Sequence, residues 1–493
     1  MDRRLGPAPP HRRPKPKPQS CPDWDSDGVD RISGLPDHLI EEILRRLRCA
    51  RSAARISLLS RRWRHLGLLW RGYPELSFRG VEAEALPAAL AQVARPELSL
   101  LDIDTHPMTS FKVAGIASLL RTAARLAPVE LVVSAKLNEV LGRSIPFELQ
   151  LPCFHRAKSI TLELKYYNLN LRVTGGEFPV LERLFLVNCD VRISDLISRA
   201  PRLRSLQASH DQLALYTGYI MVHSTTLEEL LLDRWDLFGG IDIVAPALKT
   251  FTLSADMVSN QSRITLTTAT VEHLSWTCIF RTNQLIHGVW SLSNLKLKNE
   301  QDAYVLSLCL NDIIDTHTME QPRNLQEIVQ LPIVSVLELD LDKWRREVHV
   351  YGPLLLNLLG MEMFADIKRL KLVYSRHVDV KLDKACPSNC TCGQPQNWRS
   401  QSISLMALEV VEIEDFIGKG DEVDFLKLLF RSAPMMKRVT VKPCSHAVPS
   451  FRACKEICNI FREHPSVKCY SYDSYGKKVL YPHSTYAARC RGR

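Results

Sequence analysis

Three cysteines crowd one short stretch, Cys386-Pro-Ser-Asn-Cys390-Thr-Cys392-Gly. Thiolates this close suit zinc, yet a structural zinc site takes four ligands, usually as two matched Cys-x2–4-Cys pairs. Cys444, Cys454 and Cys458 are the distant thiols that would have to complete it. With three close donors and no matched pair, ordinary loop thiols are the expectation, and no metal centre is assigned. Asp102-x-Asp104 and Asp340-x-Asp342 offer paired carboxylates. On a strand, residues i and i+2 share one face, so each pair reads as exposed acids and not as an acid–base couple. The sequence holds no P-loop, no GxGxxG after a strand, no HExxH and no GxSxG. A chain without catalysis and without a cofactor is expected.

Charge gives a second chemistry to weigh. Nine arginines and no acid lie between Arg45 and Arg71, which is the composition of a helix pair that grips phosphates. Ile56, Leu59, Trp63 and Trp70 are interleaved among them as an apolar face, which suits a protein partner instead. The formal net charge of +10 is uneven: residues 1–80 carry 17 Lys/Arg against 9 Asp/Glu, giving +8. Residues 465–493 carry 6 against 1, giving +5, which leaves −3 for residues 81–464. The bulk of the chain is not a basic surface, so no nucleic acid is expected as a partner. The alternative, a nucleic-acid-binding protein, rests on the two ends alone.

The elements that must carry these residues follow from pattern. The chain has 493 residues, 45% apolar and 24% charged, enough for several domains or one long repeat array with an appendage. No apolar run approaches ~18 residues, so no membrane span is expected. Residues 1–28 are rich in proline and basic residues and read as a disordered lead-in. The N-terminus has no apolar signal region, so the 14 cysteines read as reduced thiols of a nuclear or cytoplasmic protein.

From Asp30 to Trp70 the pattern turns helical. Pro36 fits a first turn, Asp37, Glu41 and Glu42 suit the positive end of a helix dipole, and Arg45, Arg46 and Arg48 suit the other end. Leu39, Ile43, Leu44 and Leu47 form one apolar face, and a second helix is expected from Ser52 with Ile56, Leu59, Trp63 and Leu66 inward. Two such short helices cannot bury both faces on each other, so apolar surface is left for a partner.

After Pro74 a unit apolar-x-x-apolar-x-apolar recurs. Its middle residues are Ile160, Leu184, Leu206, Leu230, Phe251, Leu274 and Leu295, at steps of 24, 22, 24, 21, 23 and 21. Later copies centre on Leu337, Leu370, Val411 and Val439 at wider steps that hold insertions. A period of ~20–29 residues with one short strand per unit predicts an irregular leucine-rich-repeat solenoid, a horseshoe in an α/β class. Its concave face would carry Arg183, Phe185, Ser205, Gln207, Glu229, Thr252, Ser275, Asn294, Lys296 and Lys298 among others. That mixture of small polar and scattered apolar residues fits a protein better than a nucleic-acid backbone.

The stretch Asp30-Arg-Ile-Ser-Gly-Leu-Pro-Asp-His-Leu-Ile-Glu-Glu-Ile-Leu, followed by Leu58-Leu-Ser-Arg-Arg-Trp-Arg-His-Leu66, resembles an F-box. It departs at Gly67, where plant members commonly carry Trp. Near the other end, Asn397-Trp398-Arg399, the stretch from Leu408 to Gly418, Phe425-Leu-Lys-Leu-Leu-Phe430 and Ala433-Pro434 are similar to the FBD module of plant F-box/leucine-rich-repeat proteins. The resemblance implies a layout of F-box at 29–75, leucine-rich repeats at 76–396, an FBD region at 397–475 capping the solenoid, and a basic tail at 476–493. It also implies a substrate-recognition subunit of an SCF-type ubiquitin ligase. The F-box would dock a Skp-family adaptor, and through it a cullin, while the repeats hold a target protein. Carried onto this sequence, Leu35, Pro36, Leu39, Ile43, Leu44, Leu59 and Trp63 would form or support the adaptor surface. A scaffold outside any ligase would use the same residues.

Overall fold

The computed structural model describes residues 34–480 apart from much of 48–68, the segments 106–109, 138–146, 166–168, 313–322, 343–346, 376–383, 386–389, 445–449 and 473–476, and several shorter ones. It is a mixed α/β structure: an N-terminal helix, α1 (Asp37–Leu47), followed by a strand-rich repeat region. Among the described residues seventeen strands join in one sheet. In chain order they are β1 (Glu75–Val81), β2 (Leu100–Thr105), β3 (Glu130–Lys136), β4 (Ser159–Lys165), β5 (Arg183–Val187), β6 (Ser205–Tyr216), β7 (Glu229–Leu237), β8 (Thr250–Met257) and β9 (His273–His287). They continue with β10 (Trp290–Glu300), β11 (Ala303–Asp312), β12 (Val336–Asp342), β13 (Arg369–Val373), β14 (Val410–Phe416), β15 (Arg438–Pro443), β16 (Lys468–Tyr472) and β17 (Lys478–Leu480).

The register explains why the spacing of leucines was readable. Strands β1 to β9 are parallel, and their partners run Leu76, Leu101, Leu131, Ile160, Leu184, Leu206, Leu230, Phe251 and Leu274. All nine are buried. A second ladder runs through Leu306, Leu337, Leu370, Val411, Val439 and Cys469 on β11 to β16. A single coil cannot bury its own apolar edge, so each strand completes the core of its neighbour. The sheet crosses residue 397 without a break in register.

One repeat copy is corrected. Leu292-Leu295-Leu297 has the repeat spacing, yet β10 runs antiparallel to β9 and β11, with Leu295 opposite Cys278 and Leu308. The sequence Ile286-His-Gly-Val-Trp290 turns the chain back on itself, with Gly288 at φ +57°, a conformation glycine adopts cheaply. A strand hairpin buries alternate leucines as well as a coil does, so composition alone does not distinguish them.

On the other side of the coils the connections vary. Early and late coils use helices, among them α2 (Val113–Arg125), α3 (Gly352–Leu359), α4 (Gly420–Ser432) and α5 (Phe451–Glu463). The middle coils use short parallel strands instead: Phe147–Leu151, Leu169–Val173 and Asp190–Val191 form one small sheet. Tyr219–His223, Gly240–Val244, Arg263–Thr267 and Val329–Gln330 form another. Among the described residues no helix is long and apolar enough to cross a membrane.

Candidate functional site

Helix α1 opens with Pro36, whose carbonyl accepts from the backbone N–H of Leu39 and Ile40 at 3.0 and 3.2 Å. Proline suits this place because its missing N–H would have no helical partner. Glu42 bridges the next turn. Its carboxylate accepts from Arg45 Nη2 at 2.6 Å and from Arg46 Nε at 2.8 Å. The Arg46 and Arg45 hydrogen bonds hold the Glu42 carboxyl below its ordinary pKa.

The single apolar face expected for α1 divides in two. Ile40 (0% exposed) and Leu44 (2%) point inward and belong to the same core cluster as Leu76 and Leu101. Leu39 and Ile43, one turn apart, are each 42% exposed. Leu35 is half-buried and Pro36 exposed. Leu44 therefore backs the helix and offers nothing outward; Ile40, which the sequence reading left out, does the same. The spacing Ile40–Leu44 is i,i+4, the signal that identifies this second stripe. Leu59 and Trp63, expected on the same surface, lie outside the described residues, as do Ile56, Leu66, Arg61 and Arg62. Leu58 is described and is 78% exposed.

The segment after α1 is stitched to the edge of the main sheet. Cys49 forms a parallel bridge with Ser77 of β1, and Arg51 Nη1 donates to the Gly80 carbonyl at 2.5 Å. An uncovered edge strand is open to pairing with another chain, and this contact covers part of it. The arginines expected as a phosphate-binding face are partly spent here: Arg45 and Arg46 on Glu42, Arg51 on Gly80, and Arg71 on the Gln92 side-chain oxygen at 2.6 Å.

The second surface is the face of the main sheet that alternates with the leucine ladder. Arg183, Phe185, Ser205, Gln207, Glu229, Thr252 and Ser275 stand there, half-buried or exposed. Where the hairpin enters, a depression of 440 Å³ is lined by Asn294, Lys296, Lys298, Ser307, Cys309, Glu338, Asp340 and Lys371. Lys298 pairs with Glu300 at 2.6 Å, Lys371 with Glu414 at 3.3 Å, and Ser307 Oγ donates to Glu338 at 2.6 Å. Burial raises the Asp340 carboxyl above its ordinary pKa, against the pull of the Ser375 hydrogen bond. The sequence reading named Asn294, Lys296 and Lys298 for this face but placed them on a coil, not on a hairpin. Of the other acid pair, expected as exposed, Asp104 is exposed but Asp102 is buried, accepting from Ser77 Oγ at 2.9 Å and from Arg79 Nη2 at 2.9 Å.

Residues 32–67 match the F-box domain. The chain carries that domain at its N-terminal helix, followed by a strand-rich region consistent with leucine-rich repeats. Two relatives from Arabidopsis thaliana are similar. One is the F-box/LRR-repeat protein At5g02910, 28% identical over 228 residues, which is 45% of this chain and 47% of the relative. The other is the Putative F-box protein At2g39415, 35% identical over 80 residues, or 15% of this chain and 64% of the relative. The chain thus spans less than two thirds of the length of either.

Proposed function

We propose that this chain is the substrate-recognition subunit of an SCF-type ubiquitin ligase. F-box domains generally bind Skp-family adaptors. In this reading Leu35, Pro36, Leu39 and Ile43, with Leu59 and Trp63, meet the adaptor, Leu44 supports the helix from beneath, and a cullin follows through the adaptor. The observation that carries the proposal is the exposed Leu39–Ile43 pair inside the matched F-box segment, on a helix whose neighbouring Ile40–Leu44 stripe is already spent on the protein's own core. Apolar side chains left outside a large core are the usual centre of a protein interface.

The polar face of the sheet, including the depression at Lys296 and Asp340, would hold the target protein. Residues 397–475 act as an FBD region that ends the repeat array, and the protein works in the nucleus or cytoplasm. No group of this chain transfers ubiquitin. It raises the effective concentration of target near the enzyme that does, a gain that bridging alone supplies.

Binding of the full chain to purified Skp-family adaptor tests this. Leu35→Ala with Pro36→Ala should weaken binding by ~2 kcal/mol or more per buried anchor. Equal binding by the wild-type chain and the double variant would overturn the docking assignment.

A further inference from the structure

Three metal-ligating side chains from two distant stretches converge beside the β9–β10 hairpin. His349 follows the short strand Glu347–Val348, which pairs in parallel with Lys384–Ala385. Cys390 and Cys392 flank Thr391 at a turn of 3-10 helix, Thr391–Gly393. One ligand atom from each of the three lies within 4.8 Å of the others. The Cys390 Sγ is 3.5 Å from His349 Nδ1. His349 is 3% exposed and Cys392 1%, with Cys390 half-buried.

These distances fit a tetrahedral metal. With Zn–S at ~2.3 Å and Zn–N at ~2.0–2.1 Å, neighbouring sulfur and nitrogen ligands stand ~3.6 Å apart and two sulfurs ~3.8 Å. The sulfur–nitrogen edge is already at that length. The widest gap exceeds the sulfur–sulfur edge by about 1 Å at most, which a small turn about a cysteine Cα–Cβ bond closes. A neutral thiol–imidazole hydrogen bond would account for the Cys390–His349 pair alone. The geometry adds a third soft donor, the buried Cys392, within 4.8 Å of both.

We propose that His349, Cys390 and Cys392 are ligands of a structural zinc ion. Two thiolates and an imidazole form a soft donor set that selects zinc over magnesium or calcium. One further donor of the chain closes the tetrahedron, as a structural site requires.

The surroundings say what such an ion would do. The separation of 41 residues between His349 and Cys390 is a long loop to close, and a metal bridge removes much of that freedom from the unfolded chain. The cysteine turn is pressed against the hairpin: a Cβ added at Gly288 would stand 3.0 Å from the Thr391 carbonyl and 3.1 Å from Cys392 Cα. His287 Nε2 lies 3.0 Å from the Gln394 carbonyl, and the Trp290 ring meets His349 edge-on at 6.3 Å. The ion would pin the long insertion between β13 and β14 to the connection between β12 and β13, beside the hairpin that lines the depression.

The test is metal content of the purified full chain by mass spectrometry, prepared under reducing conditions without chelator. About one zinc per chain is expected. Cys390→Ser with Cys392→Ser should lose it, and Cys454→Ser with Cys458→Ser should keep it. Because the first variant also risks misfolding, the wild-type chain provides a second readout. Stripping with a chelator should lower its thermal midpoint, with recovery on adding zinc but not magnesium, and cobalt substitution should give a thiolate-to-metal absorption band. A reduced wild-type chain that holds no zinc and takes none up overturns the proposal. So does full zinc content in the Cys390/Cys392 variant.

Discussion

Leu39 and Ile43 stand one helical turn apart on α1 and leave equal fractions of their surfaces, 42%, open to solvent, while Ile40 and Leu44 beside them are sealed in the core. The helix thus has two apolar stripes with different duties. Substituting the outer pair, Leu39→Ser with Ile43→Ser, should leave the thermal midpoint nearly unchanged and weaken adaptor binding by ~2 kcal/mol or more. Leu44→Ala should do the reverse first: it opens a cavity under the helix and costs ~2–5 kcal/mol of stability. Titration calorimetry with the adaptor, beside thermal unfolding of each variant, separates the two. Equal loss of stability from the double variant and from Leu44→Ala would mean that the outer stripe is not a surface.

Gly352, at the start of α3, has no room for a side chain. An added Cβ would lie 2.3–2.5 Å from ring atoms of Trp398, which is itself 1% exposed. Gly352→Ala should therefore destabilise the late coils by ~1–3 kcal/mol, although alanine is ordinarily the better helix former. Gly352→Ala combined with Trp398→Phe should cost less than the sum of the two single changes, since the smaller ring vacates part of the space. Additive costs in a double-mutant cycle, measured by denaturant unfolding, would contradict the contact.

How much of this was legible in the sequence depended on the period of each element. Ile160 to Leu274 repeat at nearly constant steps because every coil there turns back through a short strand or a short helix, and the ladder appears directly. Leu101 and Leu131 belong to the same ladder, but α2 between them stretches the step to 30 residues and hides them. Leu295 keeps the spacing and breaks the topology, since a hairpin and a coil bury the same alternation. The candidate site was legible in kind but not in detail. A period of 3.6 admits both the Leu39–Ile43 and the Ile40–Leu44 stripes, and only tertiary packing decides which one turns inward. His349 was not foreseen beside Cys390 and Cys392 because proximity across 41 residues has no local signature.

Asp190, whose carboxylate lies 3.6 Å from His210 Nε2, should give the fold a pH dependence. It begins the short strand Asp190–Val191, and burial pushes its carboxyl pKa up to about 6 from an ordinary value of 3.8. Between those values the folded chain keeps a proton that the unfolded chain has released, so stability falls as pH rises through that window and stays lowered above it. Asp190→Asn removes the charge without changing the shape. Relative to wild type it should gain on the order of 1–3 kcal/mol above pH 6 and nothing near pH 4. Thermal midpoints of both chains from pH 4 to 8 check this. A constant difference across the range would show that Asp190 does not titrate there.

Glu422 shows the opposite use of a buried carboxylate. It is 1% exposed, near the start of α4, and its Oε2 accepts from the backbone N–H groups of Gly418 at 2.8 Å, Ile417 at 3.0 Å and Lys419 at 3.4 Å. Gly418, at φ +72°, turns the chain so that these three donors converge. They lie at the positive end of the helix, where a negative charge is favoured, and in this part-buried turn the carboxylate gives them an acceptor. Glu422→Gln keeps one acceptor oxygen but loses the charge, and should cost ~1 kcal/mol. Glu422→Ala strands the donors and should cost ~2–3 kcal/mol or more. Hydrogen exchange distinguishes a local role from a global one: the amides of Ile417, Gly418 and Lys419 should lose protection in both variants, and most in alanine. If protection there is unchanged while global stability falls, the carboxylate acts on the core of α4 and not on the turn that precedes it.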